Sequence, residues 1–491
     1  MVTRREFLAA SSGLLAGTAA LGPQLWAGQA PSPAMLGIQV GAVSFVDEGT
    51  EKLLDGLQEM ASINTLFLAC FTYGRGIGGR QPQPHPLPDH GKQEYDVNFH
   101  GGNFATPHPE FYKNTRVEPQ KAPDHPGNDM LADVIPKAKK RKMKCIAWYE
   151  DVFHEKMAHI EGIQQITPSG EVGLNLCLRN PDVRQFWLAL TEDYLRSYDL
   201  DGIMWGSERQ GPLNNLLYAN HNRPGREIGC FCQHCQVAAK DAGVSFARAR
   251  EGFLKLLEWR ANLAENGRPV DGAFVTFWRL LLRYPEVLAW QNLWNEGLRD
   301  TYRDLYALAR SLAPDKLVGW HIWHLNSFSP FYRAEQDYAE FSRYSDFLKV
   351  VMYNKCGGPR MASYIRNMNQ TLLADLASEQ ALQLSYSLLG YENEKPFDQI
   401  MQEGFSADYV AREVKRAAAT VDSHVRIWPG IDIDIPTNDG EKKTQPEDVY
   451  QSVTAAFGAG THGVILSRKY SEMKLDNLRA AGRAIREQKL G

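Results

Sequence analysis

Eight short, β-rich apolar runs alternate along the chain with amphipathic helical patterns, and that alternation predicts an α/β fold, a (β/α)₈ TIM barrel. Two further features agree. Several strand-to-helix connections are long, as at the ligand-binding face of a barrel. No repeat, low-complexity block or Ser/Pro linker marks off a second domain.

The expected strands are LGIQVGAVSF (36–45), INTLFLACF (63–71), MKCIAWYE (143–150) and DGIMWGSE (201–208), then KLVGWHIWHL (316–325), FLKVVMY (347–353), VRIWPGIDI (425–433) and GVILSRKY (463–470). Eight strands favour closure into a barrel over an open sheet. Helical patterns lie between them. PDVRQFWLALTEDYLRSY opens on Pro181, a residue suited to the first helical position. PEDVYQSVTAAFGAG precedes the last strand, and KLDNLRAAGRAIREQ closes the series as a helix. The segment ALQLSYSLLGY (381–391) reads as a ninth strand or as insertion. We assign it to an insertion, because RIWPGIDID is the better barrel strand. The barrel is therefore expected over 31–491, with insertions at about 72–130, 209–300 and 355–424.

Residues 1–30 read as a signal. Arg4 and Arg5 form a twin-arginine pair, Phe7 and Leu8 follow, and a weakly apolar Ala/Gly/Leu run ends at Ala30 in small residues. This is the pattern of a Tat export peptide, with periplasmic or secreted destination. The run is too short for a membrane anchor, and no later stretch approaches the ~20 apolar residues of a span. A net charge of −4 provides no basic field for nucleic acid or anionic lipid. Aromatic residues make up 11% of the chain, which suits ligands gripped by ring faces, sugars above all.

The stretch GREIGCFCQHCQ carries Cys230, Cys232, His234 and Cys235. A disulfide within C-x-C is strained by the proximity of the two Cα atoms. The C-x-x-C spacing lacks the βαβ context of a redox pair. A zinc ion with four soft ligands fits better, and the fourth must come from elsewhere: His234 points away if its two Cys neighbours face the metal, and Cys177 in NLCLRNPDVR is the better candidate. Cys70, Cys145 and Cys356 lie singly in or beside apolar strands and are expected to be core thiols. His85, His90, His100, His108 and His125 are irregularly spaced along 72–130 and suit turns better than a metal site.

A Cys before Asn-Pro…Arg at the helix leading into strand four, a Glu ending that strand, and then C-x-C-x-x-C resemble the glycoside hydrolase family 42 β-galactosidases. The resemblance implies a structural zinc held by Cys177, Cys230, Cys232 and Cys235 beside the barrel mouth, with Glu208 in the place of the acid/base. The chain departs from that pattern in two places. Ser207-Glu208 replaces Asn-Glu, and the seventh strand offers Asp432 and Asp434 instead of Glu.

Glycoside hydrolysis needs two carboxyl groups flanking the bond, one kept protonated by its surroundings. Glu208 and Asp432 are the expected catalytic pair, because strands four and seven face one another across a barrel. Asp432 and Asp434 are two apart and share a strand face, with Ile431 and Ile433 packed outward. Glu150, Asp151 and Glu392 are reserves. Trp148, Trp205, Tyr353, His321, Asp434 and Arg468 are expected to bind substrate. Arg468 is read either as meeting an acidic sugar or as pairing with Asp434. His321 and His324 are three apart, so they face opposite sides unless the loop turns. Further aromatics near strand ends are Tyr149, Trp320 and Trp323.

The sequence thus predicts an exported, zinc-stabilised glycosidase acting on an oligo- or polysaccharide. The alternative is a carbohydrate-binding barrel without turnover. A zinc hydrolase is disfavoured, because four thiolates leave the metal no open position. The expected partner is carbohydrate, with no nucleic acid and no membrane span; a homo-oligomer is left open.

Overall fold

Strand β1 (Met35–Gly41) pairs in parallel with β2 (Thr65–Thr72) on one side and with β8 (Gly463–Ser467) on the other, so the sheet closes on itself. Between them, in chain order, stand β3 (Lys144–Glu150), β4 (Gly202–Gly206), β5 (Leu317–Ile322), β6 (Phe347–Val351) and β7 (Arg426–Asp432), each parallel to its neighbours. The result is the expected (β/α)₈ barrel, and each strand coincides with one of the eight runs read from the sequence, with Met35 and Thr72 lying one residue outside theirs. The computed structural model describes residues 34–218 and 226–488. The expected signal, residues 1–30, lies outside the described residues. Among those described, no helix is long and apolar enough to cross a membrane.

Strand alternation decides which side chains fill the barrel. Phe67, Ala69, Ile146, Trp148, Met204, Phe347, Trp428 and Ile465, from six strands, meet in one buried cluster. Gly319 leaves room for it, since a Cβ there would lie 2.4 Å from the Phe347 ring. The intervening residues face the helices. Trp205 and Trp320 both pack edge-on against Tyr302 of the helix Glu286–Leu312, with centroids 4.9 and 4.8 Å apart. Burying side chains of this size is worth roughly 1.5–3 kcal/mol each, which anchors the helix ring to the barrel wall.

The register of β2 against β3 slips between Ala69 and Phe71. Such a bulge re-aims the residues beyond it. Here Phe71 packs on Phe186 and Trp187 of the helix Pro181–Ser197, while Thr72 reaches the carboxyl of Glu150 on β3.

The long connections follow β2, β4 and β6. The first, beyond Thr72, holds only short elements before the helix Met130–Lys140. The second carries three long helices, Phe246–Asn266, Ala273–Arg283 and Glu286–Leu312. In the third, the segment considered as a ninth strand is a helix, Ser378–Leu389. Its positions Ala381, Leu382, Ser385, Tyr386 and Leu389 are buried at helical spacing, which a period-two reading does not register.

Candidate active site

A cavity of about 350 Å³ opens at the C-terminal ends of the strands. Its walls come from nearly every side of the barrel: Gln39 on β1, Trp148 and Glu150 on β3, Glu208 just past β4, His321 on β5, Val351 and Tyr353 at the end of β6, and Arg468 just past β8. A second lobe of about 240 Å³ adjoins it and shares Val152, Phe153, Glu208, Tyr218 and Trp323. Glu208 therefore stands on a wall common to both lobes. Phe153, 42% exposed, lies beside it with φ at 55°. That backbone region is rare for an aromatic residue, and here it holds a ring at the junction.

Glu150 and Glu208 reach the cavity by alternation. Glu150 pairs in register with Gly206, and Glu208 follows two residues later. Gly206 has no side chain to block His321, since a Cβ there would lie 2.9 Å from the His321 Cβ. His321 Nε2 is 3.0 Å from Glu208 Oε1, and its Nδ1 is 3.3 Å from Lys349 Nζ. Lys349 also donates to the Tyr353 hydroxyl at 2.9 Å. The His321 ring lies nearly parallel to Trp148, at 18°, with centroids 6.4 Å apart.

Burial, reinforced by the charge of Lys349, brings His321 down to about 4, so the imidazole is neutral near pH 7. A neutral ring between an ammonium and a carboxylate has one consistent tautomer: Nε2–H donates to Glu208 and Nδ1 accepts from Lys349. The two carboxyl groups are driven apart. Burial, together with the neighbouring charge of Glu208, pushes Glu150 up to about 8, against the Thr72 hydroxyl that donates to it at 2.9 Å. Burial also acts to raise Glu208. The hydrogen bond from His321 and the cationic Arg360 and Lys349 outweigh it and hold Glu208 below its ordinary value. Near neutral pH one carboxyl carries a proton and its neighbour carries a charge. Burial meanwhile draws Lys349 down to about 7.

Of the expected site residues, Glu208, Trp148, His321, Tyr353 and Arg468 line the cavity. Arg468 pairs with the buried Glu472, Nε to Oε2 at 3.0 Å, and not with Asp434. His324 joins them because β5 ends at Ile322 and the chain turns into a 3₁₀ segment, His324–Ser327. Three expectations are corrected. Trp205 is on the opposite strand face, wedged between Trp187 and Tyr302, and does not touch the mouth. Asp432 has its carboxylate taken up by the main-chain N–H groups of Asn354, Lys355 and Cys356, at 2.9–3.0 Å, and clamps the segment after β6. Asp434 has a left-handed backbone, φ 54°, which breaks the strand alternation. Its carboxylate accepts from Lys474 N and from Asn477 Nδ2 at the start of the last helix.

The site also holds residues the sequence reading passed over. Lys349, a single lysine inside the apolar run FLKVVMY, carried a legible signal, because a charge at the centre of a barrel strand needs partners. Gln39 and Arg360 carried none. Of the reserve carboxylates, Glu150 lines the cavity, whereas Asp151 is fully buried and accepts from Ser207 Oγ at 2.9 Å and Arg209 Nε at 2.8 Å. Arg209 in turn donates to Leu176 O, next to Cys177, at 2.6 Å.

The Sγ atoms of Cys177, Cys230, Cys232 and Cys235 all lie within 4.8 Å of one another, and none of the four is in a disulfide. Cys177 Sγ is 3.5 Å from that of Cys232 and 3.7 Å from that of Cys235. A tetrahedron with metal–sulfur bonds of ~2.3 Å has edges of ~3.8 Å, so the four thiols fit such an ion. The backbone N–H groups of Ile166 and Cys232 point to Cys230 Sγ at 3.4 Å. Among the described residues, no other group of cysteine, histidine and acidic side chains has metal-binding geometry. His90, His100 and His108 instead tie loops to Glu48, Asp124 and Asp193.

A closed parallel barrel with a carboxyl-lined mouth is the class that fold and site define. A family model described as glycosyl hydrolase-like 10 matches residues 108–207, a segment that includes Glu150 and Cys177 and ends beside Glu208. No curated protein matches the chain in sequence. Among solved structures, a β-galactosidase from the Antarctic haloarchaeon Halorubrum lacusprofundi is similar at a TM-score of 0.51 and 14% identity, over 93% of this chain and 58% of that one. A β-galactosidase from the psychrophilic Marinomonas ef1 is similar at 0.50 and 10% identity, over 93% and 59%. The glycoside hydrolase domain of PgaB (BpsB) from Bordetella bronchiseptica is similar at 0.46 and 13% identity, over 92% and 98%. The chain thus spans less than three fifths of either β-galactosidase, and the likeness to both is one of fold.

Proposed function

We propose that the chain is a glycoside hydrolase that cleaves an oligo- or polysaccharide lying across both lobes, with Glu208 as the ionised carboxylate and Glu150 as the proton carrier. The observation that carries this reading is the pair itself: two carboxyl groups on one cavity wall, one raised to about 8 and the other held low. Carboxyl groups whose surroundings drive them apart in this way divide acid and base roles. Glu150 protonates the leaving oxygen as the glycosidic C–O bond breaks. Glu208 meets the electron-poor anomeric carbon directly, or takes a proton from the water that does. The distribution differs from the acid/base role first expected of Glu208, because His321 donates to its charged form.

One observation favours the rival reading, a sugar-binding barrel without turnover: neither seventh-strand aspartate reaches the cavity. Screening wild type and Glu208→Gln against a carbohydrate panel, for both turnover and binding, separates the two. Hydrolysis abolished by the substitution supports the enzyme; binding with no turnover in wild type supports the rival.

We further propose that the four cysteines hold a structural zinc ion, and that residues 1–30 direct export by the Tat route. Four thiolates complete the coordination of such an ion, so it supplies stability and no step of the reaction.

A further inference from the structure

We infer that the sugar unit held in the larger lobe carries an acidic substituent, a carboxylate or a sulfate, and that Arg360 anchors it. This rests on the carbohydrate reading above and names its substrate class. Arg360 projects from the helix Gly357–Met368 onto the cavity wall. Among the described residues, its guanidinium makes one hydrogen bond, from Nη1 to Nδ1 of His324 at 3.1 Å. Burial holds that imidazole far below its ordinary range, so it is a neutral acceptor and no counter-charge. Among the described residues no carboxylate pairs with Arg360, whereas Arg468 on the same wall is paired with Glu472. Its charge acts on Glu208 at a distance, but no described carboxylate takes up its N–H groups, and a part-buried guanidinium on a cavity wall is placed to grip an anion that a ligand brings.

Two further groups point the same way. Gln39 and Trp148 are almost completely buried, and both line the lobe. Among the described residues, the Gln39 amide and the Trp148 indole N–H have no hydrogen-bond partner. Unlike the equally unpartnered indoles of Trp187 and Trp205, which lie away from the cavity, these two groups line it and are open to a ligand. With Arg360 they present three kinds of donor to the lobe. A neutral sugar offers hydroxyls that donate as readily as they accept. A carboxylate or sulfate only accepts, and a planar guanidinium grips it through two parallel bonds.

The test is calorimetric binding of the purified full chain to two matched sets. One holds oligouronates and their methyl esters; the other holds sulfated galactose oligosaccharides and their desulfated forms. At least one acidic member is expected to bind ~10-fold or more tightly than its neutral counterpart, and the set in which it falls identifies the acid. Arg360→Gln, checked for an unchanged melting temperature, should bring that ratio close to one. The inference is overturned if no acidic member outbinds its neutral form in wild type, a comparison that needs no variant. It is also overturned if folded Arg360→Gln keeps the preference. Acidic sugars bound preferentially but never cleaved would support the inference and count against the hydrolase reading. Neutral glycosides cleaved with no acidic preference would do the reverse.

Discussion

His321 Nε2 stands 3.0 Å from Glu208 Oε1, and the imidazole that makes this contact is neutral. A neutral donor stabilises the charged carboxylate without adding a formal charge to the cavity. Removing it should raise the Glu208 pKa. Hydrogen bonds to charged groups are worth ~1.5–3 kcal/mol, so His321→Ala should move the acidic limb of the pH–rate profile up by ~1–2 pH units. An acidic limb that stays in place would show that the contact does not set the charge of Glu208.

Glu150 makes the opposite statement about pH. Its folded pKa is raised from 4.5 to about 8, so the folded state binds more protons than the unfolded one between those values. Stability from this group is complete below the unfolded pKa and is lost as pH rises through the folded one. Glu150→Gln should therefore flatten the fall in melting temperature between about pH 5 and 8 relative to wild type. Parallel melting curves for the two proteins across that range would contradict the burial of this carboxyl.

Asp432 is expected to matter for folding and not for turnover. Its carboxylate accepts three main-chain N–H groups. Asp432→Asn should lower unfolding free energy by roughly 2–3 kcal/mol in a denaturant titration. The folded fraction should keep kcat/KM within a few-fold of wild type. A loss of kcat comparable to that of Glu208→Gln, with stability unchanged, would return Asp432 to the reaction.

The cysteine cluster gives a prediction independent of the chemistry. Elemental analysis should find about one zinc per chain. Chelation, or Cys232→Ser, should lower both zinc content and melting temperature, because binding such an ion is part of folding. Metal-free protein with an unchanged melting temperature would remove the ion from the account.

Much of this architecture was legible in the sequence, because barrel strands are short apolar runs and their alternation is strict. The same alternation could have excluded Trp205: it is three residues before Glu208, so the two face opposite sides, as His321 and His324 do until the chain turns. The seventh-strand aspartates were misplaced for a different reason. Asp432 has the parity of Trp428, which points inward, but the amides of Asn354–Cys356 occupy its carboxylate. Asp434 leaves the strand through a left-handed backbone that no pattern of apolar residues encodes. Gln39 and Arg360 become site residues only through tertiary closure, one from the first strand and one from a helix in a long insertion.

The central claim is that Glu150 holds the proton and Glu208 the charge, and leaving-group dependence tests it most directly. The measurement is kcat/KM for wild type, Glu150→Gln and Glu208→Gln on two glycosides of the same sugar, one with a poor leaving group and one with an activated aryl group. General acid catalysis is worth ~10²–10⁴, so Glu150→Gln should lose about that much on the poor leaving group and far less on the aryl glycoside. Glu208→Gln should lose activity on both, since its charge is needed whatever departs. The account is contradicted if Glu208→Gln spares the aryl substrate while Glu150→Gln impairs both alike, or if Glu208→Gln leaves both rates intact.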